Sequence, residues 1–149
     1  MFPISVTQLA DFLPHQGKAI WITDVLDADA NSGVARVSFS TTASFAYGDT
    51  LIESCYLEWM AQSFGYVSAA QRKLGLLNAQ AELQDAFLAA VKNYSVLNIP
   101  RGLSDGDEFI VRVKATHVVG PVTLVEGAVE RNSETLATAQ LKLFAIPKN

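Results

Sequence analysis

The stretch SFAYGDTLIESCYLEWMAQSFGYVSAAQ, Ser44 to Gln71, decides the fold. After Gly48 and Asp49 it reads as one long apolar helix. Leu51, Ile52, Cys55, Tyr56, Leu57, Trp59, Met60, Phe64 and Val67 are spread round its faces. A helix apolar nearly all round is one buried on all sides. Asp49 or Thr50 is the expected N-cap, with Glu53 near the capping-box position. Arg72, Lys73 and Gly75 make a conventional C-terminus. Running to about Arg72, this helix is roughly 30 Å long, at about 1.5 Å per residue.

One residue breaks the apolar pattern. Ser54, Glu58 and Gln62 are spaced i, i+4, i+8 and share a face. A buried carboxylate needs a partner, a proton or a chemical task. Burial favours the protonated form, which a general acid requires near neutral pH. Two readings stand side by side: a Glu satisfied by backbone donors or a neighbouring subunit, and a Glu that serves chemistry. Glu53 is explained by the helix dipole alone.

Working outward, SVTQLADFLPH reads as a short first helix stopped by Pro14. KAIWITDVLDAD is rich in β-branched and aromatic residues, as strands are. ANSG supplies a turn, and in VARVSFS the residues Ala35, Val37 and Phe39 point one way, so the pair forms a hairpin. LLNAQAELQD is open between helical tail and loop. AFLAAVKNYSVLNI, EFIVRVKATHVV, PVTLVEGAVER and TLATAQLKLFAI read as four strands, punctuated by LSDGD, VGP and RNSE. Hairpin-linked strands around one apolar helix give an α+β fold, a curved antiparallel sheet wrapped round a central helix. A sheet of about five to seven strands is expected, and one domain spans residues 1–149.

The 149 residues are 50% hydrophobic and only 17% charged, against about 25% charged in ordinary domains. The shortfall points to apolar surface hidden in an oligomer as well as in a core. A net charge of −4 with no basic stripe argues against nucleic acid. Leu51–Ala70 is long enough to cross a membrane but carries Glu53, Glu58 and Gln62, so a span is rejected. The start MFPISVTQLADFL lacks the basic and long apolar segments of a signal peptide. With the single Cys55, read as a small core residue, this leads us to expect a cytoplasmic protein.

FLPHQGKAIWITDVLDAD followed by LEWMAQ resembles the 3-hydroxyacyl-acyl-carrier-protein dehydratases of the hotdog fold. Leu13, Pro14 and His15 match the family's opening; Ile22, Thr23, Asp24 and Val25 match its first strand. Glu58, Met60, Ala61 and Gln62 match its central helix, and Asp105-Gly106-Asp107 stands in place of a Pro-Gly-Asp turn. The Glu58-Trp59-Met60-Ala61-Gln62 run with Leu-Pro-His is most similar to the dehydratase-like proteins of aryl polyene pathways. One departure matters. The family's catalytic His, just before the helix, is absent, and Ser44 falls near its place; the Pro-Gly at the helix start is missing too.

The resemblance implies elimination of water from a 3-hydroxyacyl thioester, with Glu58 as the acid. His15, or a residue from a partner subunit, is the base. His15 also reads as a cap or tether before the first strand, and His117 as an exposed or edge residue. Gln62 and Ser54 would orient Glu58 on the substrate-binding face. Asp49 is a second carboxylate or a helix cap, and Gly48 lets substrate approach the backbone. The helix start offers N–H groups to the thioester oxygen. No metal or organic cofactor is expected. The expected partners are acyl carrier protein or a coenzyme A thioester, with Arg101 and Lys92 as carrier contacts. The expected assembly is a twofold homodimer or a pair with a paralogous hotdog subunit. Two rival readings remain: a non-catalytic subunit paired with a complete dehydratase, and a thioesterase in which Asp49 or Glu58 activates water.

Overall fold

The computed structural model describes residues 2–12, 20–76 and 83–147. The chain begins with β1 (Ile4–Ser5) and a 3₁₀ helix (Val6–Phe12). A hairpin follows, β2 (Asp24–Ala28) and β3 (Ser32–Ser38), then two short strands, β4 (Ala46–Tyr47) and β5 (Thr50–Leu51). The long helix α1 is Cys55–Lys73, and β6 (Leu83–Val96), β7 (Glu108–Val119), β8 (Val122–Arg131) and β9 (Glu134–Pro147) complete the order. Among the described residues these make a seven-stranded sheet in the order β1-β2-β3-β7-β8-β9-β6, with β4 and β5 paired apart from it. Every pairing is antiparallel. The expected sheet round a helix is therefore present, with the four late strands in the expected order.

The β2–β3 turn shows how short polar side chains set a register. Asp29 Oδ1 accepts from the backbone N–H groups of Asn31 and Ser32, both at 2.8 Å. These bonds hold the Asp29 carboxyl below its ordinary range. Ala35, Val37 and Phe39 then fall on the buried face, as alternation requires. Beside them Asp24 and Arg36 form a two-point ion pair across β2 and β3. Glu108 of β7 also pairs with Arg36, at 3.5 Å.

Cys55, Tyr56, Trp59, Met60, Ser63, Tyr66, Val67 and Ala70 turn the buried side of α1 toward its surroundings. Two glycines set how closely helix and sheet approach. A Cβ at Gly33 would lie 2.4 and 2.6 Å from the two γ-carbons of Val67. At Gly127 it would lie 2.8 Å from Met60 Sδ. Met is flexible and yields; the β-branched Val67 does not. Gly33→Ala is therefore expected to cost about 1–3 kcal/mol, read as a lower denaturant midpoint with an unchanged slope. Gly127→Ala should cost less.

Cys55 is 1% exposed, the core residue its sequence context implied. Burial pushes its thiol from an ordinary 9.0 up to about 12. Its contribution to stability is thus complete below pH 9.0 and is lost as the pH climbs from there through about 12. The native thiol should resist iodoacetamide at pH 8 and react promptly in denaturant, which mass spectrometry would register; rapid native labelling would contradict its burial.

Three expectations are corrected. The helix starts at Cys55, with Ser54 as N-cap, not at Asp49 or Thr50. The reason is competition. Thr50 and Leu51 pair with Tyr47 and Ala46 across a two-residue turn, in which Gly48 takes a positive φ of 63°. Thr50 Oγ1 donates to the Pro100 carbonyl at 2.7 Å, and Asp49 Oδ2 accepts from the Gly102 N–H at 3.1 Å. These groups hold a neighbouring loop and cap nothing, so Glu53 lies ahead of the helix. Second, α1 is not covered all round: Glu58 is exposed, and Leu57, Ala61, Gln62, Phe64 and Gly65 are half-buried. The sheet and the 3₁₀ helix leave this face open. Third, among the described residues the first long strand is paired only over Asp24–Ala28, although the Thr23 N–H still reaches the Arg36 carbonyl at 2.8 Å. Pro14 and most of LLNAQAELQD lie outside the described residues.

Candidate functional site

The open face of α1 carries the one connected polar group that the sequence singled out. Gln62 Nε2 donates to Glu58 Oε1 at 3.1 Å, the i, i+4 bond expected from their spacing. The backbone N–H of Trp21 donates to Gln62 Oε1 at 2.9 Å. The Trp21 indole N–H donates to Ser44 Oγ at 2.8 Å. Glu58, Gln62, Trp21 and Ser44 thus form one chain of contacts. It joins the first turns of α1 to the segment before β2 and to the loop before β4. Next to these residues in sequence, Leu57 is half-buried and Ile20 is exposed, and Trp21 is itself half-buried.

The other expected site residues fall into two groups. Ser54 caps α1 one turn before Glu58, yet makes no side-chain cap bond. Among the described residues no hydrogen bond joins it to Glu58. Gly48 and Asp49 form the β4–β5 turn, and the Asp49 carboxylate is engaged by the Gly102 N–H. That bond holds the loop bearing Arg101 beside the turn. Arg101 and Lys92 are both exposed. His15 lies outside the described residues. His117 is an exposed residue of β7, opposite Leu124 at a β-bulge, as its context suggested.

Trp21 is the residue the sequence reading passed over. Within KAIWITDVLDAD it reads only as a strand-forming aromatic. The available signal was its N–H, because a half-buried indole finds an acceptor. Its ring also meets Phe45 edge-on, with centroids 5.4 Å apart.

Two surface grooves lie elsewhere. One of about 560 Å³ is bordered by Ser32, Arg112, Lys114, Glu126 and Gln140. Another of about 690 Å³ is bordered by Lys92, His117, Glu126 and Lys142. Glu58 lines neither. Among the described residues no group of three or more His, Cys, Asp or Glu stands close enough to hold a metal ion. No described helix is long and apolar enough to cross a membrane.

Comparison with known proteins agrees on the architecture. The chain is similar to the dehydratase heterocomplex ApeI:P of Xenorhabdus doucetiae, with a TM-score of 0.78 at 18% identity, over 99% of this chain and 93% of that one. It is also similar to a hypothetical thioesterase of Streptococcus pneumoniae TIGR4 solved with coenzyme A, with a TM-score of 0.60 at 11% identity, over 84% of this chain and 86% of that one. The smu.793 protein of Streptococcus mutans UA159, bound to acetyl CoA, gives a TM-score of 0.60 at 14% identity, over 84% and 89% of the two chains. At these identities the likeness establishes the hotdog fold. No curated protein matches the chain. The ApeP dehydratase model, however, matches residues 7–149. With that match over nearly its whole length, the chain belongs to the ApeP-like dehydratase family.

Proposed function

We propose that this protein acts in the dehydration of 3-hydroxyacyl thioesters, with Glu58 as the proton donor and a second hotdog subunit completing the site. The observation that carries this reading is the placement of Glu58: a carboxylate on an open helix face, tied to Gln62. In the reaction a base takes the α-proton and a double bond forms between the α- and β-carbons. The β-carbon–oxygen bond breaks, and Glu58 delivers a proton to the departing hydroxyl. The products are an enoyl thioester and water. The first N–H groups of α1, with no side-chain cap from Ser54, are donors for the thioester oxygen. The base is His15 or a residue of the partner subunit.

Pairing is supported by two features. β6 ends the sheet and pairs on one side only among the described residues, and Leu88 and Val91 along it are exposed. An unpaired edge of this length invites another strand. The matched structure is a dehydratase heterocomplex, and the reading assigns this chain a paralogous, complete dehydratase as partner. Ser44 at the missing His favours this arrangement over an active homodimer. An acyl carrier protein is the expected donor in a cytoplasmic setting, with Arg101 as its contact. The streptococcal matches hold coenzyme A or acetyl CoA, which makes a coenzyme A thioester the alternative. Thioester hydrolysis is disfavoured at Asp49, whose carboxylate is already engaged by the Gly102 N–H.

The test compares three samples on a 3-hydroxyacyl thioester: the chain alone, a complete dehydratase alone, and their mixture. Light scattering before and after mixing reports the assembly. Enoyl product in the mixture, above the sum of the separate rates, is the expected result. Release of free acid would move the assignment to hydrolysis. A monomer mass with no association would overturn the composite site.

A further inference from the structure

The bond between Trp21 and Gln62 decides the bond between Gln62 and Glu58. A backbone N–H only donates, so the Gln62 amide oxygen faces Trp21 and the amide nitrogen faces Glu58. A flipped amide would set donor against donor at Trp21 and oxygen against carboxylate at Glu58. Trp21 lies ahead of β2, so its N–H is not taken up by that strand's ladder and is directed at α1. The residue is held from two further sides. Its indole N–H donates to Ser44 Oγ at 2.8 Å. Its ring meets Phe45, and Phe45 in turn meets Trp59 of α1 with centroids 5.2 Å apart.

We propose that Trp21, clamped by Ser44 and Phe45, is the positioning residue of the site: it fixes the Gln62 amide so that one Glu58 oxygen is engaged and the other is presented to the acyl substrate. This rests on the reading of Glu58 as proton donor. It also gives Ser44 a role. At the position where related dehydratases carry a catalytic His, this chain holds an anchor for Trp21. The hydroxyl acts on the indole and not on the substrate.

The test uses the full chain in the assembly that forms enoyl product. Trp21→Phe keeps the ring and the backbone N–H and removes the indole donor; Ser44→Ala removes its acceptor. Each is expected to lower kcat about fivefold, the scale of one neutral hydrogen bond, with KM unchanged. The double variant should be no slower than either single, because both remove the same contact. Gln62→Met, which loses the amide bonds to Trp21 and Glu58 at similar length, should lower kcat by about tenfold or more. In a Glu58→Gln background all three should have no further effect, since they act through Glu58. Ser44 is exposed, so its Ala variant folds even if Trp21→Phe does not. Turnover within twofold of wild type for Ser44→Ala and Gln62→Met would overturn the proposal. So would an equal loss in the Glu58→Gln background, which marks a merely structural role. Normal turnover of Glu58→Gln itself would overturn the acid assignment and the positioning role together. Loss at Glu58 with none at Gln62 would overturn the positioning role alone.

Discussion

Glu58→Gln is expected to lower turnover about 100-fold or more, the usual scale for losing a general acid. The substitution keeps the length and shape of the side chain and removes the transferable proton. It sits on an exposed helix face, where changes usually shift stability by less than about 0.5 kcal/mol. The melting temperature should therefore hardly move, and the assembly with a partner subunit should still form. The measurement is kcat for enoyl formation beside a thermal melt of the same preparation. Normal turnover would make Glu58 a surface residue of the interface. Lost turnover with a lost melt would mean that the change had damaged the fold or the assembly, and the catalytic reading would lose its support.

The next residue in the chain should behave in the opposite way. Trp59 is 0% exposed and lies among Phe45, Tyr56 and Phe109, with ring centroids 5.2, 5.5 and 5.0 Å away. Trp59→Ala removes the centre of this cluster and is expected to cost about 3–5 kcal/mol, a large part of a typical domain's stability. Trp59→Phe should cost much less. Among the described residues the indole N–H finds no acceptor, so losing it offsets part of the lost volume. Denaturant titrations of both variants give the comparison. An Ala variant as stable as wild type would show that α1 is not held through this cluster. One residue apart, Glu58 and Trp59 thus separate turnover from folding, because a step of about 100° round the helix carries the side chain from open face to core.

The repeating elements were legible because their signal is local. Alternation in VARVSFS and in the segments of β7, β8 and β9 marks which residues face the core, and side-chain direction in a strand is set by the pleat alone. Glu58 and Gln62 were legible as a pair for the same reason, since their contact needs only helical geometry. The helix start was not legible. Asp49 and Thr50 are good capping residues, and a loop some fifty positions later claims their polar groups. Nor was the exposure of Glu58: apolar composition says that a face will be covered, not by which chain. Leu57, Ala61 and Phe64 look like core residues in sequence and stand half-open in the single subunit.

By itself, then, the sequence determined the hairpin, the long helix and the four late strands in their order, and the Glu58–Gln62 pair. All of these follow from backbone periodicity or from residues within one turn of each other. Tertiary structure alone decided that Trp21 would orient Gln62, that Ser44 would anchor Trp21, and that Asp49 would hold a loop. Each of those contacts joins residues 23 to 53 positions apart. A side chain's local preference offers several hydrogen-bond partners of similar strength, and the packed chain selects among them by which one it brings within reach.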